Sequence, residues 1–216
     1  MKKIAVIDYG MGNLRSVAKA LEHAAGKSAH VTVTSSHKEV TQADHVVFPG
    51  QGAAKDCMHQ LAHHNLLEVV NEAWLSKPFL GICMGLQVLF DFSEENSGTA
   101  CLSLIPGRVE AFDCNMRDSH AGNILKVPHM GWNHVKQQHS HPLWQGIDDG
   151  ARFYFVHSYY AAPKNNDVVC GITEYGISFT SAIAKNNAFA CQFHPEKSSK
   201  DGLRLLKNFI EWDGGL

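Results

Sequence analysis

The sequence predicts an α/β protein whose mostly parallel central sheet is flanked by helices and extended by antiparallel strands in its C-terminal half. Short apolar, β-branched runs alternate with helical patterns through the first 90 residues. Beyond residue 100, strand-like runs follow one another with loops between them. The chain has 216 residues, 44% of them hydrophobic, which suits one compact domain. We therefore expect a single domain over residues 1–216.

The first half of the chain carries the alternation. Strands are predicted at residues 3–7, 31–33, 45–48 and 79–82. Apolar residues at helical spacing predict a helix that begins at Leu14 and is ended by Gly26. A longer helix is predicted over 53–74, and another begins within 86–90. Successive strand–helix units of this kind favour a parallel sheet covered on both faces.

The second half of the chain changes character. Strands are predicted at residues 108–112, 153–156 and 178–184, without clear helices between them, which favours antiparallel pairing with the central sheet. Leu203, Leu206 and the pair at 209–210 predict a closing amphipathic helix.

Composition and charge disfavour several classes of function. Nineteen Lys and Arg against 21 Asp and Glu give a net charge of −2, so nothing favours binding to nucleic acid or to an anionic membrane. The apolar run after the N-terminal lysines is too short for a signal peptide, and Gln87 interrupts the longest apolar stretch. Six scattered cysteines without a CxxC pair indicate free thiols. We expect a cytoplasmic protein with no membrane span.

The most informative segment is Gly81-Ile82-Cys83-Met84-Gly85, which joins a buried strand to a helix. This is the G-x-nucleophile-x-G pattern of a nucleophile elbow, with sulfur in place of oxygen. Glycines on both sides relieve crowding at so sharp a turn. A helix N-terminus favours the thiolate of Cys83, and the Met84 N–H is placed to stabilise an oxyanion. The alternative is an inert cysteine in a glycine-rich strand end.

A proton carrier for this cysteine is predicted at His194, which follows a buried strand. Glu196 lies two residues further on, so its carboxylate is placed to fix the imidazole tautomer as the third member of a triad. A glycine-bearing turn, Gly50-Gln51-Gly52, follows another strand and offers further backbone N–H groups. Without Cys83 nearby, that turn would be interpreted as an ordinary strand–helix connection.

Two other patterns are discounted. Gly10-Met11-Gly12 begins like a dinucleotide fingerprint, but Arg15 replaces the third glycine. His59 and His63 have metal-ligand spacing on a polar helix without further ligands, which favours a solvated face. We expect neither a metal site nor a cofactor.

Together, the cysteine elbow, the Gly50–Gly52 turn and the late His-Pro-Glu resemble the class I (triad) glutamine amidotransferases in order and spacing, across almost the whole chain. Four further stretches look like the glutaminase subunits of imidazole glycerol phosphate synthase within that family. They are residues 8–14 (DYGMGNL), 128–133 (PHMGWN), 154–159 (YFVHSY) and 194–199 (HPEKSS).

The resemblance implies a reaction and a set of roles. Cys83 attacks the side-chain amide of glutamine, His194 moves the protons, and Glu196 orients His194. Backbone N–H groups of Met84 and the Gly50–Gly52 turn, including Gln51, form the oxyanion hole. The resemblance also assigns glutamine binding, to Gln87, His157, Ser158 and Tyr159.

A chain of this length has no room for a synthase, so the ammonia is expected to pass to another chain. The resemblance identifies that partner as a (β/α)8-barrel cyclase in a heterodimer, which makes imidazole glycerol phosphate and AICAR in histidine biosynthesis. Asn13, Met130 and Trp132 are candidate interface residues. Packing of Met130 and Trp132 against the protein's own sheet is an alternative. So are a glutaminase of another class I amidotransferase and a non-catalytic, partner-binding relative.

Overall fold

The computed structural model describes residues 1–117 and 122–215. The strands are β1 (Lys2–Ile7), β2 (Ala29–Thr34), β3 (His45–Gly50), β4 (Phe79–Cys83), β5 (Phe90–Ser93), β6 (Thr99–Ala100), β7 (Ile105–Ala111), β8 (His129–His134), β9 (Lys136–Gln137), β10 (Arg152–His157), β11 (Tyr159–Pro163), β12 (Val169–Tyr175), β13 (Ile177–Lys185) and β14 (Ala188–Cys191). The α-helices are α1 (Leu14–Ala25), α2 (His37–Gln42), α3 (Ala54–His63), α4 (Leu67–Ser76), α5 (Met84–Gln87) and α6 (Ser199–Glu211). Short 3-10 helices lie at Glu95–Ser97, Pro142–Trp144, Asn166–Val168 and Pro195–Lys197.

A large mixed sheet forms the centre of the part that the structure describes. Its strand order is β2-β1-β3-β4-β14-β13-β11-β7-β5-β6, with β12 on β13 and β9 on β12. Strands β2, β1, β3, β4 and β14 are parallel neighbours, and antiparallel pairing begins between β14 and β13. The predicted fold class, a mostly parallel sheet with an antiparallel extension, is confirmed.

Alternation along the parallel strands builds a core on each face of the sheet. On β1, Ile4 and Val6 join the core that contains Leu21 of α1 and Leu206 of α6. Ala5 and Ile7 join the opposite core, with residues of α3 and α4. Strands buried on both faces must be apolar throughout, which explains their continuous hydrophobic runs.

Three predicted elements differ from the structure. The helix expected over 53–74 is two helices, α3 and α4, with Asn65 at a φ of +55° between them. The helix expected within 86–90 ends at Gln87, and Phe90 begins β5. The strand expected at 153–156 exists as β10, but it pairs with β8 in a separate two-stranded sheet.

The helices of the described residues are short or amphipathic. None of them combines the length and the hydrophobicity needed to cross a bilayer.

Candidate active site

The turn that carries Cys83 is sharply strained. Cys83 ends β4 and precedes α5 with φ +56° and ψ −107°, a region that L-residues rarely occupy. The glycines beside it are required by close packing. A Cβ on Gly85 would overlap the carbonyl oxygen of Phe48, and one on Gly81 would lie 2.8 Å from the Cβ of Ala190. The packed sheet therefore holds this strained backbone and the sulfur on it.

Sheet order brings the three motifs together. β3, β4 and β14 are neighbours, and their carboxyl ends lead to the Gly50–Gly52 turn, to Cys83 and to His194. Gly50 pairs directly with Cys83 in the β3–β4 register. Residues far apart in the chain thus meet at one edge of the sheet, where α/β proteins form their sites.

That edge opens into a cleft of about 750 Å³. Most of the predicted site residues line it: Gln51, Gly52, Cys83, Met84, Gln87, His157, Ser158, Tyr159 and His194. Gly50 lies just beneath, and Glu196 lies behind His194. Asn13, Met130 and Trp132 are outside the lining.

His194 and Glu196 form a buried pair. Nδ1 of His194 lies 2.8 Å from Oε1 of Glu196, and the two side chains are 6% and 1% exposed. Burial lowers the pKa of His194, but the neighbouring Cys83 and then Glu196 raise it more strongly, to about 10. Nε2 of His194 has no hydrogen-bond partner among the described residues. The imidazole is therefore charged at neutral pH, and its buried Nε2 is not committed to another group of the described residues.

The turn after β3 is supported from behind by Tyr9. The buried hydroxyl of Tyr9 donates to the carbonyl oxygen of Pro49 at 2.9 Å. A Cβ on Gly50 would lie against that hydroxyl and 2.7 Å from the Cβ of Met84. Only glycine fits here, and the backbone that follows, with Gly52 at φ +88°, reaches the cleft beside Cys83.

Two of the predicted glutamine-binding side chains, those of Gln87 and His157, are already hydrogen-bonded within the protein. Nε2 of Gln87 donates to the carbonyl oxygen of Tyr159 and to Oε1 of Gln192, both at 2.9 Å. Both amide hydrogens of Gln87 are thereby used, so the group that it can offer a ligand is its carbonyl oxygen. His157 is buried, with its two ring nitrogens bonded to Tyr159 and His129.

Sequence reasoning missed three residues of this region. Gln192 is fully buried, and its Nε2 lies 3.6 Å from the sulfur of Cys83. Glu95 and Lys197 line the cleft and give it one carboxylate and one ammonium. Lys197 directly follows Glu196 and was detectable by proximity. Glu95 begins the 3-10 helix Glu95–Ser97, in a polar stretch whose sequence carries no such signal.

Two of the three candidate interface residues, Met130 and Trp132, lie on β8. Met130 and Trp132 are 62% and 44% exposed on one face of the strand, while His129 is buried on the other. The alternative, packing against the protein's own sheet, describes the covered part of these side chains, which for Trp132 includes an edge-to-face contact with Tyr154 at a ring-centroid distance of 6.1 Å. Asn13 is half-buried at the start of α1 and makes no side-chain capping hydrogen bond.

The acidic, histidine and cysteine side chains do not converge in a way that suits a metal ion. Across 1–117 and 122–215, no three of them are grouped to hold one.

Comparisons with known proteins agree with this geometry. The family described as glutamine amidotransferase class-I matches residues 5–212. The imidazole glycerol phosphate synthase subunit HisH of Thiobacillus denitrificans is 57% identical over 98% of this chain and 92% of that protein. The protein of the same name from Nitrosococcus oceani is 55% identical over 99% of both chains.

Solved structures share the fold at low identity. A protein whose crystal structure is described as that of a glutamine amidotransferase has a TM-score of 0.68 at 16% identity, covering 96% of this chain and 97% of that one. The glutaminase domain of Trypanosoma brucei CTPS, solved with bound acivicin, has a TM-score of 0.62 at 16% identity, covering 99% and 95%. The chain belongs to the class I glutamine amidotransferase family and, within it, to the family of imidazole glycerol phosphate synthase HisH subunits.

Proposed function

We propose that this chain, as one amidotransferase domain over 1–216, is the glutaminase subunit of imidazole glycerol phosphate synthase. It hydrolyses glutamine to glutamate and ammonia and supplies the ammonia to a cyclase subunit. One observation carries the proposal: Cys83, on a strained elbow, shares a cleft with His194, whose other ring nitrogen is paired with the buried Glu196. The family membership and the 57% identity to a HisH subunit support it.

The reaction follows from these groups. The thiolate of Cys83 attacks the side-chain amide carbon of glutamine, and the oxyanion receives N–H donors from Met84 and the Gly50–Gly52 turn. The charged imidazole of His194 then gives its Nε2 proton to the amide nitrogen as the carbon–nitrogen bond breaks and ammonia leaves. Neutral His194 next takes a proton from water, whose oxygen attacks the thioester. Glutamate and the thiolate are released, and Glu196 holds the imidazole throughout.

Substrate binding uses the remaining groups of the cleft. The carbonyl oxygen of Gln87 accepts an N–H from glutamine, since its own amide hydrogens are committed. Glu95 and Lys197 match the ammonium and the carboxylate of a free amino acid. The backbone of His157, Ser158 and Tyr159 forms the opposite wall of the cleft.

The ammonia is used by a second chain, a (β/α)8-barrel cyclase in a cytoplasmic heterodimer with this one. That partner makes imidazole glycerol phosphate and AICAR in histidine biosynthesis. Met130 and Trp132, exposed on β8, and Asn13 at the start of α1 are the residues that we assign to the interface. The reaction needs no metal and no cofactor in the glutaminase chain.

A coupled assay tests the proposal. Glutamate formation is measured with the purified cyclase and its nucleotide substrate, for wild type and for Cys83→Ala. We expect the substitution to abolish glutamate formation while added ammonium salt still supports the cyclase. Glutamate formation by the Cys83→Ala complex at the wild-type rate would remove the nucleophile and with it the proposal.

A further inference from the structure

A chain of hydrogen bonds runs behind Cys83 and ends on its sulfur. The last link is Gln192, a fully buried residue whose Nε2 lies 3.6 Å from Sγ of Cys83. Its other end, Oε1, accepts a hydrogen bond from Nε2 of Gln87 at 2.9 Å. Both ends of the Gln192 amide are therefore engaged.

A backbone carbonyl fixes the direction of donation along this series of hydrogen bonds. The oxygen of Tyr159 can only accept, so the Gln87 atom 2.9 Å from it must be the amide nitrogen. The same nitrogen contacts Gln192, so the atom that it meets there must be the acceptor Oε1. The NH2 end of Gln192 consequently faces the sulfur, and a flipped amide would set two donors against each other.

The histidines further along agree with this direction. Nδ1 of His157 lies 2.8 Å from the Tyr159 oxygen and so carries the proton, which leaves Nε2 of His157 as acceptor for Nδ1 of His129 at 2.9 Å. Burial lowers the pKa of His157 to about 3 and that of His129 to about 4, so both rings are neutral at pH 7. Nε2 of His129 in turn faces the Asn133 amide nitrogen at 3.2 Å. Each of these hydrogen bonds is therefore compatible with neutral His157 and neutral His129.

We infer that Gln192 is a further catalytic residue, whose amide N–H donates to the Cys83 sulfur and stabilises its thiolate. The inference rests on the proposed function, since it assigns a role in that same reaction. A hydrogen bond to an ionised acceptor is about twice as strong as one between neutral groups, so the bond favours thiolate over thiol. It acts twice, because the thiolate is both the nucleophile of the first step and the leaving group of the second.

The test measures the ionisation of Cys83 directly. The full-length chain is alkylated with iodoacetamide across a pH series, and the peptide that carries Cys83 is quantified by mass spectrometry. Gln192→Met keeps the volume and removes the donor. Gln192→Glu keeps the Oε1 acceptor for Gln87 and sets a carboxylate beside the sulfur.

We expect the midpoint of Cys83 alkylation to rise by about one pH unit in Gln192→Met. The rise should be larger in Gln192→Glu, because like charges repel. In the cyclase complex, kcat should fall in proportion to the loss of thiolate measured at the assay pH, by at most about tenfold per pH unit, with KM little changed.

A buried amide away from the cleft provides the control. Nδ2 of Asn208 donates to the carbonyl oxygens of Leu143 and Gln145 at 3.0 and 2.8 Å. Asn208→Leu should lower thermal stability without moving the alkylation midpoint.

If Gln192→Met does not fold, the isosteric Gln192→Glu carries the test. Midpoints equal to wild type in the folded Gln192 variants would overturn the inference, whereas absent glutamate formation in wild type would overturn the proposed function instead.

Discussion

At the scale of single residues, the site depends on the coupling between the nucleophile Cys83 and the buried His194–Glu196 pair. His194 is almost fully buried, which disfavours its charged form, yet Cys83 and Glu196 raise its pKa to about 10. An imidazole that stays charged at neutral pH is a ready acid for the departure of ammonia. Its return to that state after each turnover depends on the carboxylate behind it.

Glu196→Gln tests that dependence. The substitution keeps the shape of the side chain but removes the charge 2.8 Å from Nδ1 of His194, so we expect kcat to fall by about 10²–10⁴-fold. The pKa of His194, followed by NMR of the imidazole, should fall as well. Glu211→Gln, in an exposed ion pair with Lys207, is the matched control and should leave both values unchanged.

The raised pKa of His194 also predicts that the free energy of unfolding depends on pH, and Glu196→Gln tests this. The folded-state pKa of His194 lies above the ordinary 6.5, so the folded state binds the proton more tightly than the unfolded chain does. The resulting stabilisation is complete below pH 6.5 and is lost as the pH rises towards 10. The advantage of wild type over Glu196→Gln in free energy of unfolding should therefore shrink across that range. An advantage that stayed constant would mean that Glu196 does not raise the pKa of His194 in the folded protein.

At the scale of elements, one short helix is capped by a side chain that must stay neutral. His141 caps the 3-10 helix Pro142–Trp144, with Nδ1 accepting from the N–H of Leu143 at 3.1 Å. Burial lowers the pKa of His141 to about 4. A proton on Nδ1 would convert the acceptor into a donor and break the cap.

His141→Asn separates capping from titration. Asparagine caps helices well but does not ionise, so the variant should lose part of the acid sensitivity of the protein. The folded-state pKa lies below the ordinary 6.5, so stability is complete above pH 6.5 and declines as the pH falls towards 4. Because His141 stays neutral in the folded protein, the free energy of unfolding of wild type should be roughly 2 kcal/mol lower at pH 5 than at pH 8.

The measurement compares urea unfolding at pH 8 and pH 5 in both proteins. Loss of ring packing against Phe189 and Trp212 will lower the stability of the variant at both values. The difference between the two pH values is therefore the quantity that matters. An unchanged difference would show that His141 does not titrate as a buried neutral group.

Helices and strands could be predicted where the sequence close to them carries a pattern of burial. The parallel strands and α1 and α6 were predicted because burial on one or both faces leaves a periodic record in the sequence. The break between α3 and α4 was missed because apolar residues keep helical spacing through it. Asn65, which tolerates a positive φ, was the signal available there. The pairing of β10 with β8 has no local signal, since a strand pattern does not specify its partner.

The candidate site divides in the same way. Cys83, His194 and Glu196 stand in short motifs whose spacing follows from their chemistry, so they were predicted as a set. Gln192 lies 109 residues from Cys83, and in the sequence it is one polar residue directly after an apolar strand. Only the sheet order, which sets β14 beside β4, brings its amide to the sulfur.

At the scale of the whole molecule, the two-stranded sheet of β8 and β10 exposes apolar side chains to solvent. β8 and β10 turn His129, Phe155 and His157 inwards, where they join the aromatic core. Met130 and Trp132 then face outwards by the alternation of the strand. Large exposed hydrophobic side chains next to one another favour a protein partner over solvent.

Trp132→Ala should weaken the complex with the cyclase without unfolding the glutaminase chain. A buried Trp at an interface centre contributes about 2 kcal/mol or more, so we expect Kd to rise by roughly 30-fold or more. Leu75→Ala is the control, because Leu75 is 74% exposed on α4 and lies outside the assigned surface. Isothermal titration calorimetry with purified cyclase measures both, and thermal melts establish that each variant is folded. Equal affinities for Trp132→Ala and wild type would exclude β8 as the docking surface, since its largest exposed apolar side chain would then contribute nothing to binding.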